Sequence, residues 1–230
     1  MKNAVVTGGN RGLGREVVRQ LAEEGYRVVL TSRSAAGRDV AEAFRAGGLS
    51  VDFHPCDVAD PRSIDELAAY LRETWGTVHV LVNNAGIHYD TYQTTLDADL
   101  AIVEEALQVN TLGPWRMVKA LHALFSRAGD GRIVNVSSSS GSFVNSWPGT
   151  PAYAVSKTAL NMLTVKLAAD LSDDNILVNA VCPGWVRTRM GGPEAERDVS
   201  EGARSICWAV NLPDGGPTGG FFKDGEPVEW

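Results

Sequence analysis

The sequence predicts an α/β fold built on a mostly parallel sheet. Short apolar runs alternate with amphipathic helical patterns from Asn3 onward, and a glycine-rich turn, Gly8-Gly9-Asn10-Arg11-Gly12-Leu13-Gly14, sits at the first strand-to-helix junction. No linker, repeat or low-complexity stretch divides the 230 residues, a length that suits one domain with a full core.

The elements follow in order. Residues 3–7 form the first strand. The helix after the glycine turn places Val17, Val18, Leu21 and Ala22 on one side and Arg19, Glu23 and Glu24 on the other, with Gly25 at its stop. Arg27 to Thr31 closes a βαβ unit. The glycines allow a tight turn and a close approach of a pyrophosphate to the backbone, and the helix start offers unpaired N–H groups to it. A helix over Asp39–Arg45 and a third strand over Leu49–His54 come next. Asp60-Pro61 reads as an N-cap with proline at the first helical position, opening a helix to about Trp75. Val78–Val82 is the fourth strand and ends in Asn83-Asn84-Ala85-Gly86, where small residues leave room for a flat ring; both asparagines are expected to face a cofactor. Leu96 to Phe125 is helical in two pieces. Asn110 lies near its middle, where an asparagine is unfavourable and marks a kink or a polar duty. Gly131–Val136 is the fifth strand and runs into Ser137–Ser140; residues 141–151 are a loop, and a helix carries on to Leu171. Ile176–Val181 is the sixth strand, followed by Cys182-Pro183-Gly184-Trp185, a helix over Glu201–Val210 and a short last strand at Gly220–Lys223.

Composition narrows the function. A net charge of −7 with no basic tract argues against binding nucleic-acid backbones. No apolar run reaches membrane-spanning length, and the first strand starts too early for a signal peptide, so a cytoplasmic protein is expected. Cys56, Cys182 and Cys207 form no C-x-x-C pair and suit reduced thiols; the four histidines show no ligand spacing, so no metal is expected.

Two features point to chemistry. Tyr153 and Lys157, four apart at the start of a helix, share a face, where an ammonium would stabilise a phenolate and bring the tyrosine pKa down from about 10. At the end of the second strand stands Thr31-Ser32-Arg33, without the carboxylate that binds the ribose 2′-hydroxyl in NAD sites. Arg33, helped by Arg11, suits a 2′-phosphate, which selects NADP(H). Asp57, after the third strand, can accept from an adenine amino group.

Together, T7-G-G-N-R-G-L-G14, D57-V58, N83-N-A-G86, Asn110, I133-V-N-V-S-S138, Y153-A-V-S-K157 and P183-G-W-V-R-T188 resemble the compact members of the short-chain dehydrogenase/reductase family along essentially the full chain, the carbonyl reductase branch most of all. The resemblance implies a doubly wound, Rossmann-type sheet of seven strands with helices on both faces. It also implies one NADP(H)-binding domain over 1–230, with a substrate pocket made by loops 87–95, 139–152 and 184–200. Carried over to this chain, Tyr153 is the acid/base and Lys157 the residue that lowers its pKa and binds the nicotinamide ribose. Ser138 holds the substrate oxygen, with four consecutive serines leaving that choice open by one position, and Asn110 matches the asparagine whose neighbourhood holds a water beside the lysine. Gly8, Asn10, Arg11, Gly12, Leu13 and Gly14 cradle the pyrophosphate, and Ser32 and Arg33 the 2′-phosphate. Asp57 and Val58 meet the adenine, Asn84, Ala85 and Gly86 the adenosine side, and Pro183, Gly184, Val186 and Thr188 the nicotinamide end.

The activity implied is reversible, NADPH-dependent reduction of a ketone or aldehyde. Trp147, Trp185, Phe143, His88 and Met190 are candidate apolar walls in an open pocket. Some members of the branch carry a long insertion between the serine and the tyrosine; here the two lie fifteen positions apart, which leaves the helices at 99–127 and 152–171 free for a homodimer or homotetramer face. Two other readings share these residues: a dehydratase or epimerase on the same fold, and a non-catalytic NADPH-binding sensor or scaffold.

Overall fold

The apolar runs become strands because both of their faces are covered. In the computed structural model, which describes residues 1–230, alternate residues of the central strands enter different cores. Val5, Leu81, Ile133 and Val178 pack on one side, and Ala4, Val6, Val82 and Val134 on the other. The strands are β1 (Asn3–Thr7), β2 (Arg27–Ser32), β3 (Val51–Pro55), β4 (Val80–Asn83), β5 (Gly131–Val136), β6 (Ile176–Val181), β7 (Phe221–Lys223) and β8 (Glu226–Pro227). Their order is β3-β2-β1-β4-β5-β6-β7-β8, parallel except for the β7–β8 pair. The sheet thus holds eight strands where seven were expected. The extra one is the return arm of a hairpin whose turn, Asp224-Gly225, has both residues at positive φ (53° and 85°), the conformation that an Asp-Gly pair favours in a two-residue loop.

Helices α3 (Pro61–Thr74), α5 (Gly113–Ala128) and α6 (Pro151–Asp170) cover the first face; α1 (Gly12–Glu23), α2 (Ala36–Ala46) and α7 (Val199–Val210) cover the second, and α4 (Leu100–Leu107) leads into α5. Asp60 caps α3 as expected, accepting from Arg62 N at 3.0 Å. Between α4 and α5 lies one π-helical turn, Gln108–Leu112, with Asn110 at its centre. A π-turn of this kind is characteristic of functional sites. The polar duty expected of Asn110 falls on this irregular turn. Further on, α6 begins at Pro151 itself, so the preceding loop is shorter than the sequence suggested.

The chain reverses direction across the sheet between β1 and β4, which are neighbours although β2 and β3 intervene in sequence. The carboxyl ends of strands flanking such a switch point leave a crevice where ligands bind. Gly8, Asn84, Ser138 and Cys182, which follow β1, β4, β5 and β6, all line one cavity there, of about 970 Å³.

Candidate active site

The glycine turn is braced from β4. Asn84 Nδ2 donates to Thr7 O at 2.8 Å and Gly8 O at 3.2 Å, while Thr7 Oγ1 accepts from the N–H groups of Asn84 and Ala85, both at 3.0 Å. Gly8 and Gly12 take positive φ (66° and 51°), and a Cβ on Gly14 would overlap Asn84 Nδ2 and Gly8 O. The start of α1 behind this turn is bare: Arg11 occupies the N-cap without a capping bond, and the first turn holds no acid. Gly8, Asn10, Arg11, Gly12, Leu13 and Gly14 line the cavity, with Ser32, Arg33, Asp57 and Val58 at one end and Pro183, Gly184, Val186 and Thr188 along another edge. Arg11 and Arg33 are exposed, and neither forms an ion pair within the protein. A bare helix start, glycines that admit close approach and two free guanidinium groups fit a dinucleotide carrying a 2′-phosphate.

Asn84, Ala85 and Gly86 also line the cavity; Asn83 does not. Its side chain turns into the sheet interior and donates from Nδ2 to Asn135 Oδ1 at 2.9 Å. The expectation for Asn83 is corrected by strand alternation, since neighbours on an extended chain face opposite ways.

Tyr153 and Lys157 meet in the cavity, with Lys157 Nζ 5.4 Å from the tyrosine ring centroid. Lys157 is buried and donates to Val136 O at 2.7 Å. A side chain on Gly141 would collide with the backbone of Lys157, which is why the serine loop can pack so closely against α6. The four serines separate by environment. Ser137 Oγ donates to Asn161 Oδ1 at 2.6 Å in the core and Ser140 is buried, while Ser138 and Ser139 are half-buried and line the cavity; of the four, Ser138 is the one whose hydroxyl acts to lower the Tyr153 pKa. Asn110 lies behind the cavity wall. It grips the main chain of Ile87 in both directions (Oδ1 from Ile87 N at 2.9 Å, Nδ2 to Ile87 O at 3.1 Å) and also donates to Ser156 Oγ at 2.9 Å.

Burial dominates the electrostatics of the pair. It pushes the Tyr153 phenol well above its ordinary range, with the Ser138 hydroxyl pulling the other way, and it brings the Lys157 ammonium down to about 8. The expected lowering of the tyrosine by the lysine is therefore not the balance in the protein alone, because desolvation penalises both charged forms.

The rim is aromatic and open. Trp147, Trp185, Met190, His88 and Tyr89 line the cavity; Phe143 does not, and 81% of its surface is exposed. The edge after β6 is tied down by an isolated parallel bridge between Val186 and Arg197, by Trp185 Nε1 donating to Gly191 O at 2.8 Å, and by Arg197 pairing with Asp224. His88, at φ 60°, pairs with Glu105 at 2.7 Å. Tyr89 meets the Tyr153 ring edge-on, centroids 5.3 Å apart, and Asp90 accepts from the N–H groups of Ala152 and Tyr153. No local sequence signal marks Tyr89 or Asp90, whose partners are some sixty residues away.

With this geometry in view, likeness to known proteins is informative. The sequence model of the family described as short chain dehydrogenase matches residues 2–198. Carbonyl reductase (NADPH) 1 of Bos taurus is 35% identical over 275 aligned positions, covering 99% of this chain and 98% of the relative; since the alignment is longer than the 230-residue chain, the bovine protein has segments that are missing here. The (+)-neomenthol dehydrogenase of Arabidopsis thaliana is 35% identical, covering 96% of this chain and 95% of the relative. Among solved structures, the NADPH-bound carbonyl reductase from chicken fatty liver superposes with a TM-score of 0.89 at 27% identity, over 100% of this chain and 99% of the other.

Proposed function

The chain belongs to the short-chain dehydrogenase family, and on that premise we propose that it is an NADP(H)-dependent carbonyl reductase in which Tyr153 delivers the proton. The observation that carries the reading is that Tyr153, Lys157 and Ser138 share one cavity with the bare start of α1 and with two unpaired arginines. NADPH, when bound, supplies a hydride to the carbonyl carbon. Arg11 and Arg33 hold its 2′-phosphate, residues 8–14 its pyrophosphate, and the edge from Pro183 to Thr188 its nicotinamide end.

The protein's own groups then handle the oxygen. Negative charge that develops on it is met by the hydroxyls of Ser138 and Tyr153, whose placement is set before the reaction begins. Tyr153 gives up its proton there, and Lys157, held over the ring and fixed by Val136 O, supports the phenolate. Asn110 fixes the main chain at Ile87, and through Ser156 it joins the helix that carries both residues. The same steps run backwards with an alcohol, so the reaction is reversible. The whole chain acts as one NADP(H)-binding unit, with loops 87–95, 139–152 and 184–200 forming the substrate pocket. The supporting observation is that each contributes to the cavity, through His88 and Tyr89, Ser139 and Trp147, and Gly184, Trp185 and Met190. Leu100, Trp115, Val155, Met162 and Val165 leave exposed apolar surface on α4, α5 and α6, which suits a homodimer or homotetramer.

Tyr153→Phe tests the chemistry. Turnover of NADPH with a panel of ketones and aldehydes, followed by absorbance of the reduced nicotinamide, is expected to fall by about 10²–10⁴-fold while NADPH binding persists. Retained turnover in this variant would remove Tyr153 from the mechanism. A sedimentation mass equal to one chain would remove the oligomer.

A further inference from the structure

We propose that Asp90 is a positioning residue for Tyr153: its buried carboxylate replaces the missing cap at the start of α6 and thereby sets where the phenol sits in the cavity. The inference rests on the reading of Tyr153 as proton donor.

Helix α6 begins without the usual means of satisfying its first N–H groups. Thr150, at its N-cap, is left-handed (φ 50°, ψ 45°) and makes no capping bond; its hydroxyl is buried without a partner. Pro151 has no N–H to satisfy. Ala154 N already donates to Thr150 O at 2.8 Å. The two donors left over belong to Ala152 and to Tyr153 itself, and one carboxylate takes both. Asp90 Oδ2 accepts from Ala152 N at 3.0 Å and Asp90 Oδ1 from Tyr153 N at 3.1 Å.

Asp90 has no exposed surface. A carboxylate in that position is costly unless it is well partnered. Here two backbone amides, the positive end of a twenty-residue helix and Gln93 Nε2 at 3.1 Å hold it. Gln93 is anchored in turn, accepting through Oε1 from Asp99 N at 2.8 Å, at the start of α4. The carboxylate is therefore fastened to two helices and does not ride on a free loop. The same loop touches Tyr153 a second time, through the edge-on ring of Tyr89. Main chain and ring of one residue are thus held by residues 89 and 90.

The first turn of a helix frays more readily than its middle. A catalytic group on that turn needs an external anchor, because a misplacement of about 1 Å can cost on the order of 10²-fold in rate. Other acids cap helices without touching a site, and Asp60 on α3 is one of them. That gives the comparison its control.

The experiment uses the full chain as Asp90→Asn, Asp90→Ala, Asp60→Ala and Tyr153→Phe, with functional sites counted by NADPH fluorescence titration so that kcat is expressed per competent site. Asp90→Asn keeps the shape but turns an amide donor towards a backbone N–H. It is expected to lose about tenfold in kcat, and Asp90→Ala more, with the Kd for NADPH within twofold of the parent. Asp60→Ala is expected to lower the melting temperature and leave kcat per site unchanged. If Asp90→Ala does not fold, Asp90→Asn decides. Folded Asp90→Asn with kcat per site within twofold of the parent overturns the inference, and so does a parallel loss of kcat in Asp60→Ala. These outcomes are separable from the mechanism: an inactive Tyr153→Phe beside an unimpaired Asp90→Asn removes only the role of Asp90, whereas an active Tyr153→Phe removes the proton donor.

Discussion

Two helix starts face the cavity, and they are finished in opposite ways. The first turn of α1 is left without a side-chain cap or an acid, behind a glycine turn that keeps the approach clear. The first turn of α6 is closed by Asp90, brought in from another loop to take its two free amides. The same unsatisfied N–H groups serve two ends. Left open, such groups can receive an anion that the protein does not carry; filled internally, they can serve as a joint that holds a side chain in place. An open start suits a ligand that must come and go, and a closed one suits a residue that must not move.

The contrast can be broken most severely at α1 by filling its approach. Gly14→Val places atoms where Asn84 Nδ2 and Gly8 O already stand, and it is expected to abolish NADPH binding; fluorescence titration that shows wild-type affinity would deny the role of the turn. At α6 the corresponding blow is Lys157→Met, for which a loss of about 10²-fold or more in kcat is expected. Lys157 also gives the comparison a pH signature. Its ammonium, depressed by burial to about 8, is present below that pH and lost above it. With NADPH as the varied substrate, kcat/KM reports the free protein and is expected to decline on the alkaline side with a midpoint near 8; a profile flat to pH 10 would contradict this. The sign for stability is the reverse. The buried ammonium opposes folding below about 8, and that opposition is relieved as pH rises towards the unfolded value of about 10.4, because the unfolded chain binds more protons in that window.

The mildest test makes α1 resemble α6. Arg11 sits at the N-cap in extended conformation (φ −160°, ψ 168°), which an aspartate adopts readily when capping. Arg11→Asp is expected to raise stability by about 1 kcal/mol, measured by urea unfolding, as a new cap satisfies the helix. It is expected to weaken NADPH binding more than Arg11→Ala does, since a carboxylate now occupies the anion's place. Equal affinity in the two variants would show that the start of α1 does not receive the phosphates.

Much of this was legible in the residues. The glycine turn, the Asp60-Pro61 cap and the six long strands follow from local chemistry: spacing of apolar side chains, the φ that glycine permits, the N–H that proline lacks. Asn110 is a misfit in a helix by sequence alone, and the structure puts a π-turn there. Local chemistry also held the final hairpin, for Asp224-Gly225 is a turn pair in plain view, although only the pairing of β7 with β8 makes it a strand. Asn83 is not legible in this way, since neighbouring asparagines look equivalent in sequence until the sheet sends one to each side.

The sequence by itself determined the α/β alternation, the likeness to the short-chain dehydrogenase family and the residues that line the cavity after the strand ends. Tertiary structure decided what no short window can carry. Burial drives Tyr153 up and Lys157 down, the reverse of what two neighbours on a helix suggest for the tyrosine, because desolvation depends on everything packed around them. The anchor of Tyr153 is likewise a tertiary fact. Asp90 and the amides it satisfies are separated by two helices and one strand in sequence order, and only the folded sheet brings a loop after β4 against the start of α6.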